Sequence, residues 1–360
     1  VTPTSMRALL VLSAALAFAP LSANAQYVEP RRPVERTELG GRVHMQMSAS
    51  SVGSVPATEF ILRRARLWAA SRLNDWIDAA VQIDIAKGQV VGRYAFIRFE
   101  LDPGFIVTTG QFKRAFDLFE LTSSSQILAI ERDGNIPGVS DCTGVSGLCS
   151  YSRFSERLQH SSIDVGVLIE GDLADGRLSY GATLTNGGGG NTRETNNAKS
   201  VSGRVEWYPV EKLRIGGNYS FHDYTNEITG TDDYAPARAF DVEWGNFDEG
   251  LHVQLGVMAG DNWRALTPSG SSPRFLTYQG IATYKSVLSN PGKVLAVEPI
   301  GRVSWGDPDR STGRDGGWLM TPGVILHFTG RNRLAVNVDV WKPQTGVTAW
   351  GLKVHTSVYF

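Results

Sequence analysis

Arginines crowd one short stretch of the chain: Arg63, Arg64 and Arg66 within Leu62-Arg-Arg-Ala-Arg-Leu67, with Arg72 just beyond. A guanidinium is planar and permanently charged, and its forked donors match the oxygens of phosphate or carboxylate. Several such groups spaced around a passage select anions without holding any one of them too tightly. Other basic side chains at strand-like spacing are Arg98, Lys113, Arg132, Arg204, Arg214, Lys285 and Arg302. Carboxylates share their pattern, among them Asp78, Asp84, Glu100, Asp164, Glu170, Glu206 and Asp339. Pairing across a wall, for example Arg66 with Asp84 or Asp78, is therefore the competing use of the arginines. A mixed-charge surface and an anion-preferring one both stay open.

Other chemistries find less support. The histidines His44, His160, His222, His252, His327 and His355 stand in no serine-hydrolase or metal-ligand spacing, which leaves a membrane-bound hydrolase a remote alternative. Gly187 to Gly190 follows a strand pattern and opens no helix, so it is not a phosphate-cradling loop. No basic cluster beyond Arg63–Arg66 suggests nucleic acid. Trp68, Trp76, Tyr94 and Phe96 could contribute to a carbohydrate path, although their run is irregular. No cofactor is implied.

The elements that position these residues are strands. Leu213, Ile215, Tyr219 and Phe221 alternate with Arg214, Asn218 and Ser220, and Leu251, Val253, Leu255 and Val257 alternate with His252 and Gln254. About sixteen such segments recur, near 39–48, 60–73, 75–85, 92–102, 104–113, 160–173, 176–186, 199–208, 211–222, 238–247, 250–260, 275–286, 294–306, 317–328, 333–341 and 349–360. Roughly ten residues each, they suit tilted strands crossing a hydrocarbon layer. Tight turns, such as Asp102-Pro-Gly104 and Ala174-Asp-Gly176, alternate with long polar connections such as 187–198, 223–237 and 261–274. The expected fold is all-β, a transmembrane antiparallel barrel of about sixteen strands over residues 39–360. On strict alternation Arg64, Arg66, Trp68 and Arg72 share the inner face, because an unpaired arginine at the lipid midplane costs about 2–4 kcal/mol. Arg63 then falls on the wrong face, which calls for an outer-rim position, a bulge or a subunit contact.

The two ends agree with this reading. Met6-Arg-Ala-Leu-Leu-Val begins an apolar run closed by Ala23-Asn24-Ala25, the pattern of a secretory signal over residues 1–25, with a periplasmic lead-in over 26–38. The last strand, Leu352 to Phe360, is amphipathic and finishes on an aromatic, as barrels handled by the outer-membrane insertion machinery do. Charge is balanced, with 35 Lys+Arg against 36 Asp+Glu, so any ion preference must come from local placement. No mature segment is apolar enough for a membrane helix.

A barrel of this size encloses water unless something narrows it. The longest connection, 114–159, carries the apolar Ile127-Leu-Ala-Ile130 and is expected to fold inward. Within it, Cys142 and Cys149 are expected to form a local disulfide, as in an exported protein.

Gly110-Gln-Phe-Lys-Arg-Ala-Phe-Asp-Leu-Phe-Glu-Leu-Thr-Ser-Ser124, followed by Ala129-Ile-Glu-Arg132, resembles the strand-to-third-loop signature of the phosphate-selective porin O/P family. Leu62-Arg-Arg-Ala-Arg-Leu67 resembles its second strand, and Asp164-Val-Gly-Val with Gly171-Asp-Leu-Ala-Asp-Gly-Arg-Leu178 resembles its strand 6–7 hairpin. The resemblance implies a trimeric sixteen-stranded outer-membrane porin whose third loop enters a pore lined by basic residues. It makes Arg63 and Arg64 part of the central anion site, Arg132 a constriction residue and Lys113 a basic position of the signature. Leu62 stands where the family usually has Phe, Ala115 replaces a frequent Pro, and the later arginine-rich extracellular loop has no counterpart here. The function expected is passive diffusion of small hydrophilic solutes, with phosphate-like anions preferred and a general or carbohydrate-selective pore as alternatives. The expected partners are those solutes, lipid and lipopolysaccharide, and two further copies in a homotrimer.

Overall fold

The computed structural model describes residues 36–360 apart from Pro56; the expected signal segment 1–25 lies outside the described residues. Sixteen strands account for most of the chain: Arg36–Ser50 (β1), Thr58–Asn74 (β2), Ile77–Asp84 (β3), Val91–Asp102 (β4), Phe105–Lys113 (β5), Ile163–Leu173 (β6), Leu178–Thr185 (β7) and Ser200–Val210 (β8) form the first half. Leu213–Thr225 (β9), Asp232–Trp244 (β10), Gly250–Asp261 (β11), Arg274–Val287 (β12), Ala296–Asp307 (β13), Gly317–His327 (β14), Arg333–Pro343 (β15) and Ala349–Tyr359 (β16) form the second. Each pairs antiparallel with its sequence neighbours, and β1 pairs with β16 to close the ring.

Closure matters because a sheet edge in hydrocarbon would leave a row of N–H and C=O groups without partners. The seam runs from Arg42 opposite Tyr359 to Ser50 opposite Gly351. Gly41 and Phe360 then exchange backbone bonds of 2.7 and 3.0 Å just past it. The alternation sorts as lipid outside and water inside require. On β16, Lys353, His355 and Ser357 are buried in the interior, whereas Val358 and Phe360 are exposed. On β11, His252 and Gln254 are interior and Leu251, Leu255 and Val257 face outward.

Most strand ends fall within three residues of the sequence expectation, and two departures have a clear cause. β1 begins at Arg36, ahead of the expected 39, because its register with β2 continues to Arg36 opposite Arg72. The expected connection 223–237 shrinks to residues 226–231. β10 reaches back through Pro236, which pairs with Phe221 of β9 only, since pairing to β11 starts at Ala237. A proline fits a strand where the ladder is missing on one side.

The connection from Arg114 to Ser162 folds into the barrel. It holds two short helices, Leu118–Leu121 (α1) and Tyr151–Arg157 (α2). Phe116, Phe119, Leu128, Leu148, Tyr151, Phe154 and Leu158 are buried against Ala237, Met258, Phe275, Leu319 and Trp341, all interior positions of β10 to β15. Ile130 packs on Ile300 and Ile325, which explains the apolar stretch that looked odd for a solvated loop. Polar ties fix its path: the Ile130 amide donates to Asn337 (2.8 Å), the Tyr151 amide to Ser304 (2.9 Å) and the Trp341 indole to Asp141 (2.8 Å). The Cys142–Cys149 disulfide closes the far part of the loop.

Candidate functional site: the channel constriction

Because the loop fills the β10–β16 side, the open passage lies on the other side, between the loop and β1 to β4. It encloses a cavity of about 1120 Å³. Its chemistry begins with a bulge. β2 runs in register with β1 as far as Arg64 opposite His44, then resumes with Leu62 opposite Met45, so Arg63 is the extra residue. A bulge re-aims one side chain and shifts the phase of the alternation beyond it. Arg63 thereby turns into the lumen beside Arg64, and the bulge among the three readings open from sequence is the one the backbone adopts.

Arg63 grips Glu131 of the loop with two bonds, 2.6 and 2.8 Å. The guanidinium holds the buried Glu131 carboxyl well below the usual carboxylate range. Arg66 donates to Asp84 at 2.7 Å, the pairing anticipated across β2 and β3, and reaches Ser124 at 3.4 Å. Lys113 donates to the Glu120 carbonyl and carboxylate, the latter at 3.1 Å. Arg132 is held by the carbonyls of Phe119 (3.0 Å) and Thr122, with Glu120 at 3.8 Å. Arg64 is different: it is buried, no carboxylate oxygen lies within 4.0 Å, and its Nε and Nη1 lack partners among the described residues. The structure thus brings Arg63, Arg64, Arg66, Lys113 and Arg132 to one cavity.

Three other candidates lie elsewhere. Arg204 is locked by Asp241 (2.6 and 2.8 Å) and Glu206 (2.8 Å), and Arg214 by Glu243 (2.5 Å) and Glu206 (3.1 Å). Both face the interior as alternation requires, yet neither borders the cavity. Arg98, half-exposed, stands 3.9 Å from Glu170 and is also off the cavity. Arg302 fastens the loop from behind, donating to the Glu131 and Arg132 carbonyls.

Sequence reasoning passed over Arg42, Arg93, Arg153, Arg157 and Arg331, which also line the passage. Alternation along β1 could have supplied Arg42. Arg93 is hidden by a second bulge: Gln82 pairs with Tyr94 and Ile83 with Gly92, which leaves Arg93 as the extra residue. Arg153 and Arg157 sit on α2 and Arg331 in a turn, where a strand period says nothing. Altogether ten basic and five acidic side chains border the cavity. Of the acids, Asp84, Glu120, Glu131 and Asp133 each already contact a basic partner.

The loop also carries an acid kept from water. Asp117 caps α1, accepting from the Phe119 amide at 3.0 Å, while its Oδ2 finds no partner among the described residues. Burial, with Glu120 nearby, pushes its carboxyl up to about 7. A raised acid binds its proton more tightly in the folded state, so its stability contribution is whole at low pH and is lost as pH climbs from the ordinary carboxylate range towards 7. Asp117→Asn keeps the cap and cannot ionise. Its melting temperature should match wild type near pH 4, exceed it increasingly up to pH 7 and hold that margin above. Thermal unfolding in detergent across that range checks this, and a margin independent of pH would contradict it.

The phosphate-selective porin O and P family matches this chain over residues 38–232. No curated protein sequence matches it. Among solved structures, the anion-selective porin from Comamonas acidovorans superposes with a TM-score of 0.66 at 12% identity, over 90% of this chain and 99% of its own. The outer membrane channel DcaP of Acinetobacter baumannii gives 0.61 at 11% identity over 89% and 97%. OmpT, an outer membrane protein of Vibrio cholerae, gives 0.59 at 12% over 90% and 99%. With a closed sixteen-stranded wall, a third loop folded into the lumen and a family match over more than half its length, this chain belongs to the phosphate-selective porin O and P family and is an integral porin of the outer membrane.

Proposed function

We propose that this porin passes small hydrophilic solutes by diffusion and prefers anions, phosphate-like ones included. The observation that supports this most directly is the excess of ten basic over five acidic side chains at the constriction, in a chain whose overall charge is balanced. Low-dielectric walls focus such a field onto the passage and raise the local anion concentration. Arg42, Arg64, Arg93, Arg157 and Arg331 have no carboxylate within 4.0 Å among the described residues, so they keep donors for a passing ion. The Comamonas porin of similar fold is itself described as anion-selective. No catalytic step belongs to this reading.

The same proposal has the protein working as a homotrimer among lipid and lipopolysaccharide after delivery by the insertion machinery; OmpT of similar fold is described in a trimer form. Purified protein in a planar bilayer under a KCl gradient should give a zero-current potential of the sign set by chloride. A potential of the potassium sign would end the anion reading.

A further inference from the structure

The inward faces of β1 to β4 carry two kinds of surface in successive rows. In one row Arg42, Arg66 and Asp84 stand side by side. In the next, toward the other end of the barrel, Gly40, Trp68, Gln82 and Tyr94 are in register, and in the row after that Ala70, Ala80 and Phe96, with Glu38, which pairs with Arg36, at its β1 end. Rows on one face are about 7 Å apart. Trp68 packs against Gly40: a Cβ there would come within 2.2 Å of the indole. Trp68, Tyr94 and Phe96 stay partly exposed, and all three border the open cavity.

This apolar shelf has no structural employment. The loop covers apolar lumen residues on the opposite wall, where Phe275, Leu319 and Trp341 are fully buried. No described residue covers the shelf, and three aromatic rings left in a polar lumen forgo the gain of burial. Directly beside it, Arg93 is thrust inward by its bulge with no carboxylate partner among the described residues, and Arg66 and Arg42 stand in the adjoining row. Cations next to flat aromatic faces suit a small planar anion, with its charge on the guanidinium row and its ring on the shelf.

From this juxtaposition we infer that the preferred solutes are aromatic monocarboxylates, a benzoate-like class, rather than inorganic phosphate. The inference rests on the anion-preferring reading and narrows it. Inorganic phosphate would use the arginines and leave the shelf idle.

The test uses the full chain in planar bilayers, with chloride current read while benzoate, acetate or phosphate is added. One stacked ring should make benzoate half-block at about fivefold lower concentration than acetate, and at lower concentration than phosphate. Trp68→Ala and Tyr94→Ala should each bring the benzoate-to-acetate ratio toward one, whereas Tyr94→Phe, which keeps the ring, should preserve it. Phosphate blocking ahead of benzoate, or a ratio that survives both alanine substitutions, would overturn the assignment. The zero-current potential separates the two readings. A chloride-selective channel without the benzoate advantage removes only this inference, and a potassium-selective channel removes both.

Discussion

Replacing Arg64, Arg93 and Arg157 together by glutamate should reverse the ion selectivity of the channel. The three lie on the second strand, the fourth strand and the loop, so they surround the passage, and none has a described carboxylate within 4.0 Å to be left stranded. The exchange takes the constriction from ten basic and five acidic side chains to seven and eight. In a narrow passage with low-dielectric walls, the local excess and not the charge of the whole chain sets the potential an ion meets. The zero-current potential in a KCl gradient should therefore change sign. Arg214→Gln serves as the control. It removes a lumen arginine already taken up by Glu206 and Glu243, so it should leave the sign unaltered. If the triple variant kept the chloride sign, the filter would lie outside this cavity.

That contrast also shows what the sequence could disclose. The barrel was legible because its two solvents impose a period of two on every strand, and each of the sixteen segments read from that period corresponds to a strand. The inner face of β2 was legible for the same reason. Arg63 was not, because one inserted residue shifts the phase, and only the pairing of Leu62 with Met45 shows where the insertion lies. Arg93 was lost to the same effect on β4.

Arg204 and Arg214 illustrate a different blindness. Alternation correctly turns them inward, but it carries no information about which half of the lumen the loop will fill. That choice is made by long-range contacts of Phe119, Leu128 and Phe154 with Met258, Phe275 and Trp341, residues far apart in the chain. The family resemblance did better for the constriction than periodicity alone, since its motif residues Arg63, Arg64, Lys113 and Arg132 all reach the cavity. The aromatic shelf was half visible: Trp68, Tyr94 and Phe96 stood out as candidates, but their shared wall emerges only from the register of three strands.

The position of the loop is the remaining determinant of selectivity, and Arg302 is where it can be loosened. Its guanidinium is buried and spans two layers. Nη1 donates to the carbonyls of Glu131 (2.6 Å) and Arg132 (2.7 Å), while Nη2 donates to Thr321 (2.7 Å) and Asp339 (2.9 Å) on the wall. Glu131 is the partner of Arg63, and Arg132 is one of the constriction cations, so this side chain ties the constriction segment to the wall. Arg302→Ala strips two loop carbonyls of their donor and leaves Asp339 with Lys353 as its one basic partner. Breaking a buried pair from one side costs about 3–5 kcal/mol. The variant should melt lower in detergent, and its single-channel current should flicker between the wild-type level and larger ones as the loop leaves the wall. Asp339→Asn makes the distinction between a latch and a merely stabilising pair: it weakens the wall contact but keeps both donations to the loop, so it should lower the melting temperature while the current stays quiet. Equal flicker in both variants would mean that the loop is held by its apolar packing as a whole, and that Arg302 has no special part in fixing the filter.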